Sequence, residues 1–405
     1  MKLRKRIMAT SAMALITSLT AGTIHAQDVH EPFQLSVLTG AHWTDNRDSR
    51  PNEFAEDTFD LRIAPRIAYH GLATETSRTD LYWAPGYRYR TDPSPSQNEG
   101  EWYHDLGIDL QRQLSHRLTI VFTEHFNYTD DPAISESGDT IRQDGTFIYN
   151  NIYGSAHIRI VKNSQIRISA RHRMKDYDEQ EVADRSNEEI LDANIGYWHA
   201  INRRQYLLAD VTFQDVDFDT TFDLDRGYGS IAYGVGYEHT LSDRLSATLR
   251  AGIRDVDYND EGTPDNDDPY LTLVGSYNVA EDLRLTGSLY VETREADVFP
   301  FSSQDFTGVT LRADKVFNSK FRGYLLGQFR NGEYGEESVP ADTPDEAFLM
   351  EREGDETTVV FRGNGTWMIN PGQELGIYYQ YEDTESDVDE SYERNEAGLT
   401  WFMRF

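Results

Sequence analysis

The sequence predicts an all-β fold: a transmembrane, antiparallel, up-and-down β-barrel of about eighteen strands, with short periplasmic turns and long acidic extracellular loops. Three observations carry this. Segments of about ten residues alternate in polarity along most of the chain, which is the length a tilted strand needs to cross a bilayer. The connections between them alternate between very short turns and long acidic stretches. The last segment has one apolar face: Ala397, Leu399, Trp401, Met403 and Phe405 alternate with Glu396, Gly398, Thr400, Phe402 and Arg404.

The first residues read differently. Lys2, Arg4, Lys5 and Arg6 precede a run of small and apolar residues from Ile7 to Ile24, followed by His25-Ala26-Gln27. A basic start, a short apolar core and a small residue at the break make a secretory signal peptide. Residues 1–26 are therefore expected to be removed, leaving 27–405 as one barrel domain. Thr10, Ser11, Thr17, Ser18, Thr20 and Thr23 interrupt the apolar run. That argues against a permanent anchor, which needs about 20 mostly apolar residues.

The eighteen segments lie near 33–43, 58–70, 79–91, 101–112, 117–129, 145–160, 165–177, 187–200, 204–216, 226–240, 244–258, 269–279, 283–295, 304–316, 320–332, 355–369, 373–384 and 391–405. The pattern is clearest in the second half. Leu245, Ala247, Leu249, Ala251 and Ile253 oppose Ser246, Thr248, Arg250, Gly252 and Arg254. Leu283, Leu285, Gly287, Leu289 and Val291 oppose Arg284, Thr286, Ser288, Tyr290 and Glu292. A helix would place its apolar residues three and four apart.

Seven connections are very short: Leu114-Ser115-His116, Lys162-Asn163-Ser164, Asn202-Arg203, Ser242-Asp243, Glu281-Asp282, Asn318-Ser319 and Asn370-Pro371-Gly372. They carry turn residues. Long connections sit between them, the longest at 333–354. This asymmetry is the one an outer-membrane barrel shows. The short turns recur about every 40 residues, a period propellers share, but a propeller blade needs four strands per period and only two fit here.

Composition narrows the classes. The chain has 38 Lys+Arg against 70 Asp+Glu, a net charge of −32. The leader holds four of the bases and no acid, so the remainder is more acidic still. A nucleic-acid partner is disfavoured. With no cysteine there is no disulfide framework, zinc thiolate site or cysteine nucleophile. Low mean hydropathy with 24 Tyr, 19 Phe and 6 Trp suits a barrel whose strands meet lipid on one face only. Aromatics near segment ends suggest two interfacial girdles. Trp43, Tyr89, Trp102, Tyr128, Tyr177 and Tyr258 lie near the long loops, and Trp198, Trp367 and Trp401 near the short turns. Two irregularities are expected to disturb the wall. Pro65 and Pro85 each remove a ladder donor, which predicts bulges or a weakened seam. Glu124 falls on the apolar face beside Phe122 and Phe126; a register slip, a covered wall or a wrong face assignment would each explain it.

The terminal strand ending on Phe405, with Met403 and Trp401 at alternate places before it, resembles the C-terminal signature of outer-membrane β-barrels. That likeness implies residence in the outer membrane of a Gram-negative-type bacterium, among its lipid and lipopolysaccharide. It also implies Phe405, Met403 and Trp401 as the assembly signal read by the barrel-assembly machinery. The stretches Phe59–Ile67 and Leu81–Tyr89, each with an internal proline, resemble the type 2 β-barrel porin family, some of whose members are encoded with exopolysaccharide machinery. This resemblance implies a pore and supplies no catalytic motif.

The polar faces of the strands should line the lumen. They are rich in arginine: Arg62, Arg66, Arg88, Arg167, Arg171, Arg173, Arg250, Arg254, Arg284, Arg312, Arg322 and Arg362. Such residues favour anions and hold carboxylate or phosphate through paired donors. Asp105, Asp109, Asp210, Glu292, Asp314, Glu382 and Glu396 share that face, so a lattice of ion pairs is the competing expectation. The 333–354 connection contains Ala347-Phe348-Leu349-Met350. An apolar run in a polar loop needs burial, so Phe348, Leu349 and Met350 are expected to constrict the mouth. The acidic stretch 259–268 could gather oxygens for Ca²⁺ but lacks EF-hand spacing, and a solvated loop is the simpler reading; no metal or cofactor is expected. Neither G-x-S-x-G nor H-E-x-x-H occurs, so no catalytic residues are assigned and the chain is not expected to be an enzyme. The expected function is passive passage of a polar solute, with an anionic or saccharide, exopolysaccharide-related solute as the finer expectation. The alternative is a non-conducting surface barrel whose acidic loops bind a partner or polymer.

Overall fold

Alternation becomes pairing. A computed structural model describes residues 32–405 apart from 48, 72–73, 75, 93–98, 130–144, 179–181, 184–185, 219–224, 260–264, 297 and 336–352. Residues 1–26 thus lie outside the described residues. Eighteen strands form where the polarity pattern places them: β1 Phe33–Thr44, β2 Thr58–His70, β3 Ser77–Arg90, β4 Gly100–Ser115, β5 Leu118–Thr129, β6 Phe147–Val161, β7 Ser164–Tyr177, β8 Glu188–Asn202, β9 Gln205–Phe218, β10 Tyr228–Thr240, β11 Leu245–Tyr258, β12 Asn266–Ala280, β13 Leu283–Glu295, β14 Ser303–Val316, β15 Phe321–Tyr334, β16 Gly354–Asn370, β17 Gln373–Ser386 and β18 Tyr392–Arg404. Each pairs antiparallel with its sequence neighbours, and β1 pairs with β18, so the sheet has no edge. The register climbs toward the long-loop end from strand to strand. Ala41 of β1 faces Leu61 of β2, Leu61 faces Tyr89 of β3, and Tyr89 faces Gly100, the first residue of β4. This stagger is what a tilted, closed barrel requires.

The two faces differ as the alternation demands. Most outward residues are apolar and solvent-accessible, with Leu325 at 70 %, Leu311 at 64 % and Ile377 at 62 %. An apolar belt of this kind is a lipid surface. Inward residues are mostly polar, aromatic or glycine. Trp43, Tyr89, Trp102, Trp367 and Trp401 face outward, as girdle residues should. Tyr177, Tyr258 and Trp198 do not: all three are buried on the inward face. Their place in the register decides this. Trp198 shares its face with Gly196, and Tyr258 its face with Val256 and Arg254.

The short turns are closed by their own first residues. Ser115 Oγ accepts from the Arg117 and Leu118 amides, both at 3.2 Å. Ser242 Oγ, Asn318 Oδ1, Asn202 Oδ1 and Asn370 Oδ1 do the same for the amides two residues on. These are side-chain-capped turns, which favour Ser and Asn at that position. Five of the turns also carry a one-residue slip of register beside them.

The prolines produce a seam and no bulge. Pairing between β2 and β3 runs to Ile63–Tyr87, stops, and resumes in the same register at Ile67–Trp83. Pro65 and Pro85 therefore lie opposite each other. The β1–β2 and β3–β4 ladders continue through both residues, so both missing donors fall in one gap. Glu124 is not explained by a slip, because its register with Ile108 of β4 and Ile152 of β6 is unbroken. It points outward.

The closing seam is held from inside by a buried charge network. Glu382 of β17 is fully buried and accepts from Arg394 of β18 at 2.7 Å and from Tyr392 Oη at 2.9 Å. Arg394 also meets Glu396 at 3.3 Å. Glu396 lies 3.8 Å from His42 of β1, and His42 lies 3.6 Å from Asp60 of β2. Asp60 is in turn approached by Arg62 at 3.4 Å and by Arg88 and Arg90 of β3, both at 3.8 Å. The network spans five strands across the β18–β1 junction.

Removing one member should leave its partner charged and buried. Arg394→Met is expected to lower the unfolding free energy of the barrel by about 3–5 kcal/mol, and Arg394→Met with Glu382→Gln to recover most of it. Equilibrium urea unfolding in lipid vesicles measures both. A single-variant loss below about 1 kcal/mol, the range of exposed pairs, would show that the network does not hold the seam.

Candidate functional site

The interior wall is the candidate site. Register places all twelve arginines singled out from the sequence on the inward face: Arg62 and Arg66 on β2, Arg88 on β3, Arg167, Arg171 and Arg173 on β7, Arg250 and Arg254 on β11, Arg284 on β13, Arg312 on β14, Arg322 on β15 and Arg362 on β16. Their environments fall into three kinds.

Several are ion-paired. Besides Arg62 and Arg88, Arg173 meets Glu295 at 3.1 Å, Arg250 meets Asp210 at 3.9 Å, and Arg254 meets Glu292 at 4.0 Å. Arg312 meets Asp314 at 2.7 Å and Arg322 meets Glu374 at 3.0 Å. A second kind lies over aromatic rings. Arg66 sits 4.0 Å from the Tyr82 ring centre, Arg88 5.8 Å from Tyr103, and Arg167 4.4 Å from Trp198. Arg171 lies 5.7 Å from Tyr153, Arg312 4.0 Å from Tyr324 and Arg294 3.5 Å from Phe306. These separations are within reach of a cation–π attraction, and the stacked guanidinium keeps its charge and its in-plane donors.

Glycine makes the stacking possible. A Cβ added at Gly107 would lie 2.1 Å from the Tyr82 ring, at Gly86 2.1 Å from Tyr103, and at Gly196 2.3 Å from Trp198. The rings lie directly on bare backbone, and the arginine lies on the ring. The wall is thus layered as glycine, aromatic and guanidinium.

A third kind has no carboxylate within ion-pair distance among the described residues. Arg66 and Arg171 have only their rings. Arg284 donates to Ser276 Oγ at 3.0 Å and Arg362 to Gln380 Oε1 at 2.6 Å. The four lie on β2, β7, β13 and β16, spread around the barrel.

Near the long-loop end the interior narrows. The connection from β13 to β14 folds inward, burying Val298 and Phe301 against Tyr334 and Val388. Arg226, just before β10, pins it: Nε and Nη2 donate to the Phe301 carbonyl at 2.8 and 2.5 Å, and the guanidinium lies 4.1 Å from the Phe218 ring. Burial pulls this guanidinium down to about 9, which leaves it charged at neutral pH. Beside it, the Arg173–Glu295 pair joins β7 to β13, which are not neighbours in the sheet. Ile190, Val216, Phe218, Tyr228, Val256 and Tyr258 form an apolar lining under the same end.

The expected constriction residues Phe348, Leu349 and Met350 lie outside the described residues. Among the described residues the segment that folds inward is the β13–β14 connection, with Phe301 held by Arg226 and the Arg173–Glu295 bridge beside it. Sequence reading missed it although Val298-Phe299-Pro300-Phe301 is an apolar run as long as Ala347–Met350, because it sits in a short connection between two strands and not in a long polar loop. It also missed the ring platforms. Their trace was present: Gly196 and Trp198, or Phe306 and Gly308, are same-face neighbours two residues apart. Of the acidic stretch 259–268, residues 266–268 belong to β12, and 260–264 lie outside the described residues. Phe405, Met403 and Trp401 close the wall against β1, where the Phe405 amide donates to the Leu35 carbonyl at 2.9 Å.

No protein-family model matches the chain, and no curated protein matches it. Solved structures do. The Pseudomonas aeruginosa outer-membrane protein OpdK aligns at 10 % identity with a TM-score of 0.50, over 92 % of this chain and 99 % of its own. The P. aeruginosa protein OccK2 (OpdF), in complex with glucuronate, aligns at 10 % identity with a TM-score of 0.50, over 92 % of this chain and 98 % of its own. At such identity the likeness is one of fold, and the fold of this chain is the closed eighteen-stranded barrel of outer-membrane porins.

Proposed function

We propose that this barrel is an outer-membrane channel for small anionic solutes, with carboxylates such as acidic sugars as the preferred class. The observation that carries this is the set of inward arginines that form no ion pair among the described residues, Arg66, Arg171, Arg284 and Arg362. Asp192 and Asp314 lie opposite Arg171 and Arg284 but pair with Arg173 and Arg312, which leaves the four guanidinium groups to act on what enters. Aromatic platforms beside them suit a ring-shaped solute, with a flat face for the apolar side of a sugar and a guanidinium for its carboxylate. The glucuronate complex of OccK2, a barrel of the same fold, lends support to that class. The constriction favours small solutes over a polymer, because an exopolysaccharide chain would have to displace the Phe301 connection and the Arg173–Glu295 bridge.

A second reading is a barrel that stays closed until a solute opens it. The buried connection at Phe301 and the charge bridge across to β7 favour it. The two readings share the solute class and differ in resting conductance.

Selectivity comes from the reversal potential of single channels in a planar bilayer under a salt gradient. The unsubstituted chain is expected to prefer anions. Arg66→Glu with Arg171→Glu should move the permeability ratio toward cations by about two- to fivefold. A cation-selective channel, or one indifferent to both substitutions, would sink the anion reading. Arg226→Ala should release the β13–β14 connection and raise unitary conductance or open time; an unchanged trace would show that this connection does not restrict the path.

A further inference from the structure

The outer wall is not uniformly suited to lipid. On β8–β18 and β1, the outward residues of the strand middles are apolar, aromatic or small, Val235, Leu249, Leu311, Leu325 and Ile377 among them. On β4–β7 several are polar, while those of β2 and β3, Ile63, Pro65, Ile67, Trp83 and Tyr87, are apolar or aromatic. Glu124 points outward halfway along β5, between Phe122 and Phe126 on its own strand and Ile108 and Ile152 on the neighbouring ones. It forms no ion pair or hydrogen bond with any described residue. His104 on β4, Asn150 on β6 and His172 on β7 share its face. His104 Nδ1 and Asn150 Oδ1 are themselves buried and have no hydrogen-bond partner, while His172 reaches Glu189 at 2.6 Å. The β2–β3 gap at Pro65 and Pro85 lies in the same stretch of wall, also in the middle of its strands.

Lipid tolerates neither feature well. A polar side chain at the bilayer midplane and carbonyls without ladder donors have nothing to bond to in hydrocarbon. Twelve other strands of this barrel avoid both. Two independent defects on six adjacent strands point to a wall that is covered by protein.

We infer that the β2–β7 wall is a contact surface between two copies of this chain. Charge and hydrogen-bonding chemistry select that occupant. The patch holds an acid, imidazoles and an amide together, so turned about a two-fold axis it offers acceptors to donors and donors to acceptors. An axis along the membrane normal also keeps depth: a midplane polar group on one copy meets the midplane of the other, because both belts sit at the same height. Exposed Trp83 and Trp102 flank the patch and supply the large apolar contacts such an interface needs. The inference rests on the fold and not on the solute.

The cysteine-free sequence makes the test direct. Phe122→Cys and Ile152→Cys, each alone, are oxidised in isolated outer membranes and compared with Leu325→Cys on β15, across the barrel. A heat-modifiable band on the gel certifies that each variant is folded. The first two should yield a band of twice the chain mass, at about tenfold the level of Leu325→Cys. In detergent, the unsubstituted chain should sediment as a dimer and Glu124→Leu should weaken it by about tenfold in Kd. A lipid-facing Glu124 would give the opposite picture: monomers throughout, and equal, weak cross-linking at all three sites. That result overturns the inference, as does a cross-linked band of any other mass, which would put a different protein on this wall.

Discussion

Everything in this structure depends on closure. A sheet in hydrocarbon cannot leave a row of backbone groups unpaired, because no water is there to satisfy them. The β1–β18 junction is where that requirement is met last, and its ladder runs from Ser36–Arg404 to Thr44–Glu396. The backbone closes the outside of this junction and a charge network closes the inside. Glu382, Arg394, Glu396, His42 and Asp60 form a chain of contacts from β17 to β2. Buried charges are expensive to desolvate, and hold only when each finds a partner. Placing them at the junction ties the pairing of the first and last strands to a specific register, since a one-residue slip would turn every one of them to lipid.

Closure also dictates what the interior can be. Eighteen strands enclose more space than side chains from the wall alone can fill. The chain uses two means of shaping that space. On the wall it lays rings on glycine and guanidinium groups on rings, which keeps long side chains flat against the barrel. At the long-loop end it folds the β13–β14 connection inward and fixes it with Arg226. Flat walls and a local constriction are compatible with a path for small solutes, and together they put selection at one level of the barrel.

The fold was legible in the sequence because strand faces have period two and the outward face of most strands is apolar. Leu283 to Val291 or Leu245 to Ile253 cannot be read otherwise. That these arginines share the polar face of their strands was legible for the same reason. Their partners were not. Whether Arg171 meets Asp192 or stacks on Tyr153 depends on tilt and side-chain direction, and neither follows from spacing along one strand. Tyr177, Tyr258 and Trp198 misled for a related reason: an aromatic near a strand end has the depth of a girdle residue, but only its parity in the register tells lipid from lumen. Pro65 and Pro85 were legible as a disturbance, yet only the pairing showed that they face each other and concentrate their damage in a single gap.

The same residue type does two jobs in this barrel, and the difference is positional. Arg62, Arg88, Arg90 and Arg394 cluster within the seam strands, where carboxylates surround them and their charge is consumed in holding β17, β18, β1, β2 and β3 together. Arg171, Arg284 and Arg362 sit on strands that need no such help, with a ring, a hydroxyl or an amide for company. Neutral partners hold a guanidinium in place without cancelling it. Arg171 and Arg284 each have an acid opposite them in the register, Asp192 and Asp314, yet among the described residues those acids pair with Arg173 and Arg312 instead. The proposed action on a passing anion rests on that difference from the seam.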